Sequence, residues 1–288
     1  MIISVSRRTD IPAYYTDWFF KRIKAGYCKV PNPFNPRQIS TVSLFPRDVT
    51  AFAFWTRNPE AMLRDIHILD EKGYKYFFMI TLNDYPKNIE PAHTDTYDSI
   101  RNFIELSKQI GKEKVVWRYD PILLTDAIDA DFHFENFQYL FSLLKGHTNK
   151  IITSIITPYR KTKGNLKKAG IELIEDKDQY AKILHNIKKI AVRHNIKASI
   201  CCPPEWLDNS IMPPAKCIDN ELLNEVFGMH LPDKKDSSQR KNCNCHPSKD
   251  IGMNNTCLAG CRYCYATRSH KSAMINRSKH DTGSEMLI

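Results

Sequence analysis

Residues 51–81 read AFAFWTRNPEAMLRDIHILDEKGYKYFFMIT, and this stretch decides the fold. Residues 51–55 and 76–81 are apolar along their length, as strands buried on both faces of a parallel sheet are. Between them, residues 60–70 place Met62, Ile66 and Leu69 three and four apart, one buried stripe of a helix. Strand, helix, strand is the repeating unit of a parallel sheet with right-handed crossovers. The rhythm continues outward. Residues 2–6 precede it, and 115–119, 151–156 and 198–202 follow, separated by helical patterns over 97–110, 134–144 and 179–192. Six such strands fall short of an eightfold barrel. The expectation is therefore an α/β fold, a partial (β/α)6 TIM-like barrel, with a doubly wound open sheet as the alternative.

The 288 residues are 42% hydrophobic and 26% charged, the composition of an ordinary globular chain with a full core. No run approaches 18 apolar residues, so no membrane partner is expected. The start, MIISVSRRTD, puts its arginines after the apolar run, the reverse of a secretory signal, and a cytoplasmic location is expected. The net charge of +10 admits nucleic acid or phosphorylated ligands as partners. No recognised nucleic-acid motif accompanies it, and the lysines at 182–197 read as the solvated face of a helix. Residues 31–48 read as an ordered functional loop, 234–241 as an exposed loop, and the polar tail from Ser269 as frayed. The organisation expected is a partial barrel over 1–203 and a cysteine-rich segment over 204–288 folded across its mouth, in one integrated domain. About 50 residues of chain are enough to reach that mouth at about 3.3 Å each.

Eight of the nine cysteines fall between Cys201 and Cys264, which points to metal ligation or catalysis rather than disulfides; Cys28 stands alone as a half-buried core thiol. The strongest pattern is TCLAGCRYCYAT at 256–267, a Cys-x3-Cys-x2-Cys with Tyr263 before the last cysteine. Cysteine thiolates hold iron–sulfur cubanes, and three of them leave one iron open to a ligand. Ala259 and Gly260 let the loop curl. A structural zinc site is the competing reading, but zinc takes four ligands, commonly from two Cys-x2-Cys pairs, and only Cys261 and Cys264 form one.

This motif resembles that of the radical S-adenosylmethionine enzymes, Cys-x3-Cys-x-aromatic-Cys. The resemblance implies a 4Fe-4S cluster on Cys257, Cys261 and Cys264, with S-adenosyl-L-methionine bound at its open iron and cleaved to a 5′-deoxyadenosyl radical. It also implies Tyr263 beside the cofactor's adenine, and an electron donor such as flavodoxin or ferredoxin. The chain further resembles a bacterial family, DUF1848, through SVSRRTDIPAYY, VSLFPRDVTAFAFWTRNP, FMITLNDY, VVWRYDPIL, CIDNELL and QRKNCNCHPSKDIGMNNTCLAGCRYCYA. That family is similar to the radical enzymes but carries its cluster motif near the C-terminus. Met253 and Ala259 depart from its pattern without touching a cluster ligand.

The remaining cysteines suggest a second site, an auxiliary 4Fe-4S cluster or zinc, on Cys217, Cys243, Cys245 and either Cys201 or Cys202. Adjacent strand residues point to opposite faces, so one of the pair serves, and Cys202 is preferred as nearer the strand end. In barrels, polar residues at strand carboxyl ends tend to be functional. Arg7, Arg8, Arg57, Asn83, Arg118 and Asp120 occupy such places and are candidate cofactor contacts. Arg118 or Arg57 would hold the methionine carboxylate and Asn83 or Asp120 the ribose hydroxyls. Asp250, just before the cysteine loop, is a candidate for orienting it, with Gly252 at a tight turn. The function expected is thus radical S-adenosylmethionine chemistry on a substrate the sequence does not reveal. The alternatives are a zinc-binding nucleic-acid module and a metal-free barrel enzyme.

Overall fold

The computed structural model describes residues 1–92 and 95–288. In chain order its strands are β1 (Ile2–Val5), β2 (Tyr27–Pro31), β3 (Ile39–Ser43), β4 (Ala51–Thr56), β5 (Tyr76–Thr81), β6 (Val115–Ile122), β7 (Lys150–Ile155), β8 (Lys197–Ile200) and β9 (Lys249–Asp250). Seven of them form one parallel sheet in the order β8-β7-β6-β5-β4-β1-β9. The six strands foreseen from the apolar runs lie side by side in chain order, without the reversal that defines a doubly wound sheet. The sheet is open, with β8 and β9 as its outer strands.

Alternation along each strand divides the core in two. Phe52 and Phe54, Tyr76 and Phe78, and Val115 and Trp117 face a layer of helices that contributes Trp18, Phe19, Leu69, Phe103, Phe137 and Ile187. Ala51 and Ala53, Phe77 and Met79, and Val116 face the other way. That second face is covered by residues of the C-terminal segment, among them Ala215, Cys217, Ile218, Leu223, Cys243 and Cys245. The period of two along a strand is what lets one run of apolar residues serve both faces.

Helices Thr96–Ile110, Ala130–Leu144 and Lys177–Arg193 start on Asp95, Asp129 and Asp176, whose side chains accept N-terminal backbone N–H groups as caps should. The pattern at 60–70 is broken into two short helices, Glu60–Leu63 and His67–Glu71. Other expectations are corrected. Residues 31–48 are not a plain loop: β3 lies within them and pairs antiparallel with β2. The tail is not frayed. It forms a helix, His270–Arg277, and then docks, with Trp18 Nε1 donating to Ser284 O at 2.9 Å, Lys29 N to Glu285 O at 2.8 Å, and Leu287 buried. Cys28 is fully buried rather than half-buried, and burial pushes its thiol up to about 12.

Candidate functional site

The carboxyl ends of the strands open into a cavity of about 390 Å3. Its wall is built from Ser6 to Asp10 after β1, Trp55 to Arg57 at the end of β4, Arg118 and Asp120 in β6, Ser154 at the end of β7, and Cys201 after β8. The C-terminal segment closes it with Cys217, Gln239, Arg240, Cys243, Cys245, Cys257, Cys261 and residues 263–266. Seven of the nine cysteines therefore line one space.

The loop 253–267 is fastened to three strand ends. Thr9 Oγ1 donates to Met253 O at 2.6 Å and is hydrogen-bonded to the Thr256 hydroxyl. Tyr15 Oη donates to Thr256 O at 2.7 Å, and Arg262 N to Ile89 O at 2.9 Å beyond β5. Beyond β7, Thr162 Oγ1 donates to Tyr263 O at 3.2 Å and Asn165 Nδ2 to Thr267 O at 3.2 Å. Gly260 sits at φ +69°, left-handed backbone that an L side chain adopts only at a cost, and a Cβ there would stand 3.3 Å from Pro91. Thr267 N donates to Cys264 Sγ at 3.3 Å, the kind of N–H···S bond that tunes cluster sulfurs. Burial pushes the Cys257 thiol far above its ordinary value, and that of Cys261 up to about 12 against the pull of Arg57. Binding a metal here would have to displace those protons.

Asp250, a candidate for orienting the cysteine loop, holds the segment after β1 and the turn just before that loop. In β9, beside β1, it accepts from Ser4 Oγ at 2.9 Å, Ser6 Oγ at 2.6 Å, Arg7 N at 2.8 Å, Arg8 Nε at 3.1 Å and Gly252 N at 2.9 Å. Gly252 serves close approach rather than an unusual φ, since a Cβ would fall 2.1 Å from Ser6 Oγ.

The strand-end residues are spent differently from expectation. Arg57 Nη1 donates to Tyr263 Oη at 2.8 Å, and its Nη2 pairs with the buried Glu90; the Tyr263 hydroxyl also donates to Glu90. Burial holds that phenol far above its usual range, so it keeps its proton. Asn83 is fully buried outside the cavity wall, with Nδ2 donating to Asp120 O at 2.9 Å and Oδ1 accepting from Asp120 N at 2.7 Å, so it is not placed to reach a ribose. Arg118 Nη2 donates to Asp120 at 2.6 Å, Nη1 approaches Cys217 Sγ at 2.9 Å, and the guanidinium lies 4.8 Å from the Trp55 ring centroid. Arg8 pairs with Asp250. Arg7 and Arg240 differ: each lines the cavity with a side-chain hydrogen bond to a hydroxyl, Ser248 at 3.3 Å and Thr157 at 3.2 Å.

Sequence reasoning missed Glu90 and Arg240. Glu90 lies in a connection after β5 with no periodic signal, and Arg240 looked like one basic residue in an exposed loop. Of the two cysteines after β8, sequence reasoning preferred Cys202, whereas the structure places Cys201 at the cavity. Cys201 lines the cavity beside Cys217, whose Sγ donates to Cys201 Sγ at 3.3 Å. Cys202, at φ +52°, is not part of the lining. Cys243 and Cys245 line the same cavity and pack in the apolar cluster that contains Cys217. Among the described residues, no three His, Cys, Asp or Glu side chains stand as a ready-made site for a metal ion. No described helix is long and apolar enough to cross a membrane.

Comparison with known proteins finds one family, described as a domain of unknown function (DUF1848), matching residues 2–266. No curated protein matches the chain.

Proposed function

The chain belongs to the DUF1848 family, and we propose that it is an enzyme that holds a 4Fe-4S cluster on Cys257, Cys261 and Cys264 and uses it to cleave S-adenosylmethionine. The observation that carries this reading is the position of the three thiols: all line one cavity at the carboxyl ends of parallel strands, where α/β folds place their ligands. The donor set fits the group. Three sulfurs from one loop leave an iron without a protein ligand, and the loop backbone supplies an N–H to Cys264 Sγ. On this reading the open sheet is a partial barrel, and residues 204–288 supply its inner lining and its cluster loop.

When bound, the cluster and S-adenosylmethionine would supply a 5′-deoxyadenosyl radical for hydrogen abstraction. The chain's own residues hold and orient. Thr9, Tyr15 and Arg262 fix the loop against the strand ends. Glu90 neutralises Arg57 and locks the Tyr263 ring through its hydroxyl, leaving the ring itself as cavity wall on which an adenine would pack. Arg57 and Arg118 are committed to Glu90 and Asp120, so Arg7 and Arg240 are the guanidiniums suited to a methionine or substrate carboxylate. Electrons would come from a flavodoxin- or ferredoxin-type donor in the cytoplasm.

The test is anaerobic reconstitution, metal and sulfide analysis, and electron paramagnetic resonance of reduced protein with and without S-adenosylmethionine. The expected result is a cluster signal altered by S-adenosylmethionine, with 5′-deoxyadenosine formed only when reductant is present. Cys261→Ala should lose both. Zinc with no iron, together with nucleic-acid binding that falls steeply with salt, would replace this reading by that of a zinc-bearing nucleic-acid module.

A further inference from the structure

We infer that Cys201, Cys217, Cys243 and Cys245 form a second, closed site of four thiolates for a thiophilic metal centre, zinc or a 4Fe-4S cluster. The inference stands on these residues and does not need the cluster proposed for the 257–264 loop.

Four thiols from three separate places in the chain gather on the side of the sheet that the C-terminal segment covers: the end of β8, the turn before helix Asn220–Phe227, and the two sides of Asn244. Cys217, Cys243 and Cys245 are buried, and they pack with Ala53, Met79 and Val116 of the sheet. Cys217 Sγ donates to Cys201 Sγ at 3.3 Å, and Cys243 and Cys245 pack in the same cluster as Cys217, with Cys201 against it. Apolar packing alone does not ask for four cysteines gathered at one place, since any small apolar residue would fill the same space. Thiols gathered in this way become ligands by giving up their protons to a metal.

The surroundings suit an anionic centre. Four thiolates leave either zinc or a 4Fe-4S core with a net charge of about −2. Arg118 places a guanidinium N–H 2.9 Å from Cys217 Sγ, and Arg7 lies over the same Trp55 ring, with its centre 5.7 Å from the centroid. The N–H to sulfur contact is an outer-shell interaction of the kind that orients and tunes a metal ligand. Four protein ligands close the site, so it offers no coordination position to substrate, in contrast to the three-cysteine loop across the cavity.

The experiment removes the first site and asks what remains. Cys257→Ala/Cys261→Ala/Cys264→Ala is prepared anaerobically and reconstituted, in separate arms, with zinc and with iron plus sulfide. The expected result is about one zinc, or about four irons with matching sulfide, per folded chain, lost when Cys217→Ala is added. Which arm loads distinguishes the two metals. Cobalt(II) should give the intense thiolate charge-transfer bands of a four-sulfur site in the triple variant and not in the quadruple one. A second variant guards against misfolding: Arg118→Gln should fold and bind, but surrender its metal to a chelator about 10- to 100-fold more readily. A triple variant that is folded by circular dichroism yet binds neither metal would overturn the inference, and would leave the proposed function standing if wild type still carries its cofactor-sensitive iron. A triple variant that keeps all the wild-type metal would do the reverse.

Discussion

Cys257, Cys261 and Cys264 come from eight consecutive residues, whereas Cys201, Cys217, Cys243 and Cys245 are gathered from residues 201–245 by the fold. Both groups line the same cavity. The first is one loop that turns at Gly260 and is held to the strand ends by tertiary contacts. The second has no local geometry of its own; β8, the 217 turn and the 243–245 segment must all be in place before its sulfurs meet. A contiguous site survives loosening of its surroundings better than a dispersed one, because little of its geometry depends on distant packing.

That contrast is open to perturbation. The largest effect is expected at Glu90, which sits behind the contiguous loop and neutralises Arg57. Glu90→Ala strands a buried guanidinium and should cost about 3–5 kcal/mol, read from urea unfolding. It should also release Tyr263, so the cofactor-dependent change in the loop's cluster signal should weaken while metal at the dispersed site is retained.

A pH effect should arise outside the cavity lining. His133 is buried against Tyr119 Oη and Leu123 O, each 2.9 Å away, and burial lowers it to about 4. Its folded value lies below its unfolded one near 6.5, so its contribution is complete above pH 6.5 and is lost as pH falls toward 4. The shift corresponds to roughly 3 kcal/mol. His133→Gln should flatten the stability profile across that window with no change in the metal content of either group.

Gly260→Ala should cost about 1–2 kcal/mol through its left-handed backbone, and it should lower iron retention at the loop alone. The smallest effect is expected at Cys202. Cys202→Ala should leave all metal in place, while Cys201→Ala should empty the dispersed site. Equal losses from the two would erase the distinction between Cys201 and Cys202.

Much of the α/β pattern was legible because the six principal strands are apolar on both faces and the helices between them carry regular stripes. The helix at 60–70 was overextended because its stripe continues across a break that only packing imposes. β3 escaped notice because its exposed, polar alternation resembles loop, and it is held by pairing with β2. The tail looked frayed because its composition is polar; Trp18, Lys29 and Tyr27 capture it from the other end of the chain. Asn83 and Arg118 were noticed for their place at strand ends. Residue type and place did not reveal that Asn83 turns inward or that Arg118 is paired with Asp120.

By itself the sequence determined the strand–helix succession, the three-cysteine loop and the polar character of the strand ends, since each depends on residues close together in the chain. Only the tertiary structure decided the side of the sheet that the C-terminal segment covers, the partners that neutralise Arg8, Arg57 and Arg118, and the placing of Cys201, not Cys202, beside Cys217 at the cavity. Most of those are contacts between residues far apart in the chain, and local periodicity carries no information about which of several chemically equivalent partners the fold will bring together.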